Sequence, residues 1–467
     1  MTPEIEQKLL TTLYKRLWEA ITQTPNPSQP TIFNSTTNFL QISPGEPINP
    51  TDFANALTPN YPNGNLKAAE VFSRIVDEIP AIKANFKPTY NRVSSVYRQI
   101  LQSANSNLVA DPNLQQIYEQ AQNYLNSKVT IQDWSGNKTT IDAPSEVAQK
   151  YEHNKIAYLQ ALSNYQTAYL NYDLNDPRQQ RQWQAEALLL KAAIDQAYNK
   201  WRREGAAQVE QAQMVINKTV RGAANSERGK VLNAALQTVI QEAQQSMNTY
   251  ALQSGSEDGS QWYLSYGLPT NWIEIASGTN LAPLEVKSSY LEEQPHPRFN
   301  KYNGGSAWEG GLWSVRDIDS KNLAHYHLQA TELQLSAKLG IVHIYRPWCN
   351  QLVWKMSQSF VDALNNTKPS PGNDHSTFLL IPTAFIVARD VKITANFTSE
   401  DRLYLQQSLS GDSEVGIGPF RLSGRYSHSL SSDTFHSTND GDVVNVAGVH
   451  ILAWVSEIFP LTSTISL

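Results

Sequence analysis

The residue types best suited to chemistry gather between positions 325 and 349. "HYH" places His325 and His327 two residues apart. On a strand, residues i and i+2 share a face, so two imidazoles in that spacing suit a metal ion. A third donor is required, and His343 has the matching parity. The alternation shifts phase near Ala330, however, which favours ordinary cross-strand histidines. The sequence therefore assigns no metal and no cofactor, with His325, His327 and His343 as the residues a metal would use.

The stretch "LGIVHIYRPWCNQLVW" (339–354) is denser still, with a histidine, an arginine, the only cysteine and two tryptophans in an apolar run. Continued alternation puts His343 on the core face between Ile341 and Tyr345, and Arg346 on the opposite face. Pro347 keeps Arg346 extended and ends the ladder. Trp348 is then placed to stack on the guanidinium. Arg346 and Trp348 are candidates for ligand or partner contact. The structural alternative is an arginine that closes the sheet end by donating to backbone carbonyls or a carboxylate. Arg389 falls on the inward parity of its strand and needs a buried partner. Asp390 is on the other face, which leaves Glu285, Glu332 and Glu457. Cys349 lacks the context of a nucleophile and reads as a small hydrophobe. "NGGSAWEGGLWSV" (303–315) has no Gly-Lys-Ser/Thr ending, so its glycines serve close strand approach rather than phosphate binding. Trp308 and Trp313 are candidates for a ligand-binding rim.

These residues need a scaffold, and the chain supplies two kinds. At 467 residues, two or three domains are expected. Charged residues make up 17% and the net charge is −6, with no basic block, so nucleic-acid binding has no electrostatic footprint. One cysteine excludes an internal disulfide framework. The start is an amphipathic helix rather than a secretory signal, and the longest apolar runs (378–388 and 446–455) are shorter than the roughly 18–20 residues of a spanning helix. The expectation is a cytoplasmic protein, with signal-independent release as the other route. Membrane contact would then follow only a conformational change or assembly.

Residues 1–64 read as an N-terminal helix and an irregular Pro-rich arm, and residues 65–253 as an α-helical domain. Within it, Leu66–Ile79 and Pro88–Ala104 read as helices, 128–141 as a small β-hairpin and 230–252 as the last helix. Tyr151, Tyr158, Tyr165 and Tyr172 recur every seven residues, with Tyr169 beside them. That heptad spacing predicts a seam on a helix over 146–174, paired with the helix after "NDP" as a long antiparallel hairpin over about 145–221. The tyrosines are candidates for a self-association seam. "SGSEDGS" (254–260) reads as a linker.

From 261 to 467 the period changes to 2, and one apolar face per strand predicts an antiparallel, sandwich-like β domain. A capped helix is expected at 399–411 and a mobile loop at 429–442. The fold class is therefore α+β, an elongated α-helical domain followed by a β-sandwich-like domain. The absence of a convergent catalytic set leans away from an enzyme. The leading functional reading is a non-enzymatic interaction or assembly protein, a homo-oligomer through its helices, with a β domain for a protein or glycan partner. The alternative is a pore-forming or membrane-acting effector whose amphipathic strands at 305–346 refold into a barrel.

Overall fold

The structure, a computed structural model, describes residues 3–22, 33, 38–83, 85–103, 112–132, 138–169, 172, 176–222, 232–252, 261–277, 282–288, 314–317, 325–327, 329–330, 332–350, 353, 378–410, 415–417, 419–426 and 434–460. Its first part holds α1 (Pro3–Thr22), β1 (Asn38–Ile48), a 3-10 turn (Pro50–Phe53), α2 (Leu66–Val76), β2 (Glu78–Pro80), β3 (Pro88–Arg92), α3 (Val93–Ser103) and α4 (Pro112–Leu125). The middle holds β4 (Asn126–Gln132), β5 (Lys138–Pro144), α5 (Glu146–Tyr169), α6 (Pro177–Trp201), a π turn (Arg202–Ala206), α7 (Ala207–Gly222) and α8 (Leu232–Thr249). The last part opens with β6 (Ala251–Leu252), β7 (Trp262–Tyr263), β8 (Tyr266–Leu268), α9 (Trp272–Ser277), β9 (Ala282–Lys287), β10 (Ser314–Asp317), β11 (His325–His327) and β12 (Leu333–Tyr345). It closes with β13 (Phe378–Ala395), α10 (Ser399–Ser410), β14 (Val415–Ile417), β15 (Phe420–Arg425), β16 (Thr434–His436), β17 (Thr438–Asp440), β18 (Val443–Val446) and β19 (Val449–Pro460).

Helix and strand are thus mixed, around a large antiparallel sheet. Its main path is β1-β19-β13-β12-β8, with β9 paired to β12, β18 paired to β13 and β17 paired to β18. A second sheet runs β11-β10-β14-β15-β16. The expected small hairpin forms as β4 and β5, paired from Asn126 with Pro144 to Gln132 with Lys138.

Three expectations change. The Pro-rich arm is not irregular throughout, because β1 pairs with β19 as the terminal strand of the main path. Pro44 and Pro47 are tolerated at that terminal position and beside a bulge between Ile42 and Glu46. Gly45 sits in this bulge with φ of 71°, and a Cβ there would meet the Pro419 carbonyl oxygen at 1.9 Å. Only glycine lets the bulge touch the second sheet so closely. The expected helix start at Pro88 is a strand, β3, which pairs with β2 before α3 begins. In the expected loop 429–442, residues 434–440 form β16 and β17, and β17 pairs with β18.

The strands also depart from a single apolar face. Phe385 and Val387 of β13 pack with Val71, Phe72 and Ile75 of α2 and with Trp272 of α9. Ala384, Ile386 and Ala388 point into the opposite core, with Leu9, Leu13 and Leu17 of α1. Helices cover both faces of the centre, so the strands there read as continuous apolar runs. Past a bulge near Asp390 the phase slips, and Val391, Ile393 and Ala395 join the α1 core. Asp390 takes a φ of 48°, in the left-handed region that bulges use.

The helical hairpin is docked on this sheet. β9 pairs with β12 up to Leu339 and β8 pairs with it from His343, leaving Ile341 in the gap. There α5 takes the place of a strand: Ser163 Oγ donates to Ile341 O at 3.0 Å, and Ile341 N–H donates to Thr167 Oγ1 at 3.4 Å. Gln166 Nε2 donates to Ile21 O at 2.9 Å, satisfying a carbonyl in the last turn of α1. Replacing Ser163 with alanine orphans a buried carbonyl. It is expected to cost about 1 kcal/mol, read by urea denaturation. An unchanged midpoint would remove the hydroxyl from this account.

Candidate functional site

Two places concentrate the candidate residues, the corner after β12 and the α5–α6 hairpin. At the corner, Cys349 N–H donates to Arg346 O at 3.0 Å, closing a turn with Pro347 at its second position. The Arg346 side chain is folded back into the protein. Its Nη1 donates to Pro382 O at 2.7 Å and its Nη2 donates to Val76 O. Both acceptors sit where regular backbone pairing is interrupted. Val76 ends α2, where carbonyls have no N–H ahead of them. Pro382 lies where the β13–β19 register shifts. One guanidinium thus closes a helix end and a bulge together. Burial lowers the Arg346 pKa, while Cys349 and Asp77 oppose that shift.

Asp77, the C-cap of α2, extends the polar cluster. It accepts from Arg92 Nε at 3.0 Å, from Ser94 N–H at 2.8 Å and from Ser94 Oγ at 2.6 Å. Burial raises its pKa, against the pull of Ser94 and Arg92. The Arg92 guanidinium lies 3.7 Å from the ring centroid of Trp262. Trp348 does not take that role for Arg346. It is buried against Tyr97 and Tyr263, each with ring centroids 5.6 Å away, and its Nε1 donates to Ser265 Oγ at 3.3 Å. Cys349 is part-buried beside the same core.

Arg389 corrects its expected partner. The bulge turns Asp390 back, so Arg389 Nη2 donates to Asp390 Oδ2 at 3.0 Å and Lys338 Nζ lies 2.7 Å from the same oxygen. Burial pushes the Asp390 carboxyl up, but the two cations outweigh it and hold the pKa below the usual range.

The three histidines are divided by topology. His343 lies in the main sheet, buried and stacked on Phe33 with 5.3 Å between ring centroids, and burial lowers its pKa to about 4. His325 and His327 lie on β11 in the second sheet, and their side chains are outside the described residues. Among the described residues, no three His, Cys, Asp or Glu side chains gather as a metal site. Trp308 and Trp313 lie outside the described residues.

No family model, curated protein or solved structure matches the chain.

At the hairpin, the heptad reading holds for packing. Tyr165 and Tyr169 meet Trp183 near the start of α6, and Tyr151 and Tyr158 meet Trp201 at its end. The helices are therefore antiparallel, with Leu162 and Ile194 buried between them. α5 is described to Tyr169 rather than to 174, and Tyr172, beyond it, donates its hydroxyl to Glu186. Asp176 caps α6 by accepting from Arg178 N–H at 2.8 Å, and Gly205, with φ of 101°, breaks the chain toward α7. The seam tyrosines are thus occupied inside one chain.

The sequence reading missed the other face of α6. Leu188 is 70% exposed and Leu189 76% exposed, with Ala185, Ala192 and Ala193 exposed around them. A signal was present. Once Trp183, Leu190 and Ile194 are assigned to the seam, the run "ALLLKAA" leaves apolar residues over.

Proposed function

We propose that the protein is a non-enzymatic interaction and assembly protein that associates with copies of itself through the helical region, 65–253. The β-rich region, 261–467, is left to contact a protein or glycan partner. The observation that carries this reading is the exposed Leu188–Leu189 face on α6, a long helix whose other face is already sealed. Large apolar side chains grouped on a rigid surface mark interaction sites more often than isolated ones do. The candidate chemistry adds support: Arg346, Trp348 and His343 are engaged or buried within the fold rather than converging on a cleft. Light scattering across a concentration series tests the proposal. A mass at or above the dimer is expected, and a strict monomer at about 100 μM would refute it.

A further inference from the structure

We infer that the partner of the outer α6 face is the same face of a second copy, packed antiparallel about a two-fold axis between Leu188 and Leu189. This rests on the self-association reading and names its surface and register. Arg181, Leu188 and Asp195 recur every seven residues, as do Ala185 and Ala192. Leu188, Leu189, Ala185 and Ala192 are all exposed and form a stripe on one side of α6. A two-fold axis at the centre sets Ala185 level with the partner's Ala192, where small side chains let two helices approach. It sets Leu188 across from the partner's Leu188, about one residue's rise apart, and Leu189 likewise across from the partner's Leu189. Arg181 lies within one residue's rise, about 1.5 Å along the axis, of the partner's Asp195. Arg181 and Asp195 share the Leu188 flank, so symmetry repeats that opposite-charge pair at both ends of the stripe. A parallel pair would instead turn the Leu188 flank, with Arg181 and Asp195, toward the partner's Leu189 flank, so the opposite charges would not meet. The stripe is thus its own complement in one orientation, as a closed two-fold interface requires. The sealed α5 side and the Asp176 cap anchor the presenting helix.

Sedimentation equilibrium on the full chain tests the assignment. Leu188→Asp with Leu189→Asp is expected to weaken association by roughly a hundredfold, with the circular dichroism spectrum unchanged and the thermal midpoint unchanged at dilutions where the parent is monomeric, because both side chains are exposed. Arg181→Asp and Asp195→Arg are each expected to weaken it by about tenfold, and the double swap to restore it. A wild-type chain that stays monomeric overturns both this inference and the self-association reading. An oligomer indifferent to the leucine variant overturns this face and leaves self-association standing. Failure of the double swap to restore binding overturns the antiparallel register. A monomer that pellets with phosphatidylcholine vesicles only when both leucines are present gives the face to a lipid surface and overturns the inference.

Discussion

Replacing Arg346 with methionine is expected to destabilise the fold by about 3 kcal/mol, because two buried carbonyls lose their donor together. The acceptors, Pro382 O and Val76 O, lie 36 and 270 residues away in sequence, so the guanidinium ties α2 to the β12–β13 pair. The sign is not automatic. Methionine also relieves the cost of burying a charge, which lowers the arginine's own pKa. Three points favour a net loss. Neither carbonyl has an obvious alternative donor, since one ends a helix and the other sits at a register shift. The helix end carries partial negative charge, which a cation offsets. Asp77 nearby would lose a compensating positive charge in a buried setting. Lysine is expected to recover only part of the loss, because a point charge with no fork cannot serve both carbonyls as well. Urea denaturation of Arg346→Met and Arg346→Lys checks both. A methionine variant within about 0.5 kcal/mol of the parent would mean that water or rearrangement satisfies the carbonyls, and the clasp would carry no stability.

The elements legible in the sequence are those set by local spacing. The tyrosine heptad and the Asp-Pro start of α6 each act within one or two turns, and each is found in place. What was illegible depends on distant chain. Nothing local shows that Pro44, Gly45 and Pro47 belong to a strand, because the pairing partner is β19, some four hundred residues on. Strict alternation failed in β13 because two separate helical layers cover its faces, and the bulge at Asp390 then shifts the phase. The same bulge explains the error over Arg389, whose adjacent residue becomes its partner only when the backbone turns there. At the corner the distinction between a clamp for a ligand and a clasp for backbone could be posed from sequence. It could not be decided there, since the acceptors come from α2 and β13. Leu188 and Leu189 needed the opposite knowledge, namely which face of α6 the rest of the chain leaves uncovered.

Acid is expected to destabilise the protein well before its ordinary carboxylates protonate, through His343 and His450. Both rings are buried, and burial lowers each pKa from 6.5 to about 4. His343 is stacked on Phe33, and its Nε2 has no hydrogen-bond partner among the described residues. His450 lies within β19 near Phe420 and Phe435, its Nε2 is 2.8 Å from Ala447 O, and Arg421 adds to the penalty on a second charge. Between pH 6.5 and 4 the unfolded chain binds protons that the folded chain refuses. The stability from each neutral ring is therefore whole above pH 6.5 and falls as the pH drops toward 4, at up to about 1.4 kcal/mol per pH unit and about 3 kcal/mol over the window. Asp77 works in the opposite sense, since its raised pKa favours the folded chain as acid protonates it. Asp390, held below the usual range, loses its contribution only at lower pH. The window is therefore largely set by the two histidines. Thermal midpoints from pH 7.5 to 4.5 should fall steeply in the parent. They should fall by about half as much in His343→Leu or His450→Gln, each compared with its own value at pH 7.5. A parent whose midpoint stays flat from 6.5 to 4.5 would show that the rings gain protons without opening the sheet.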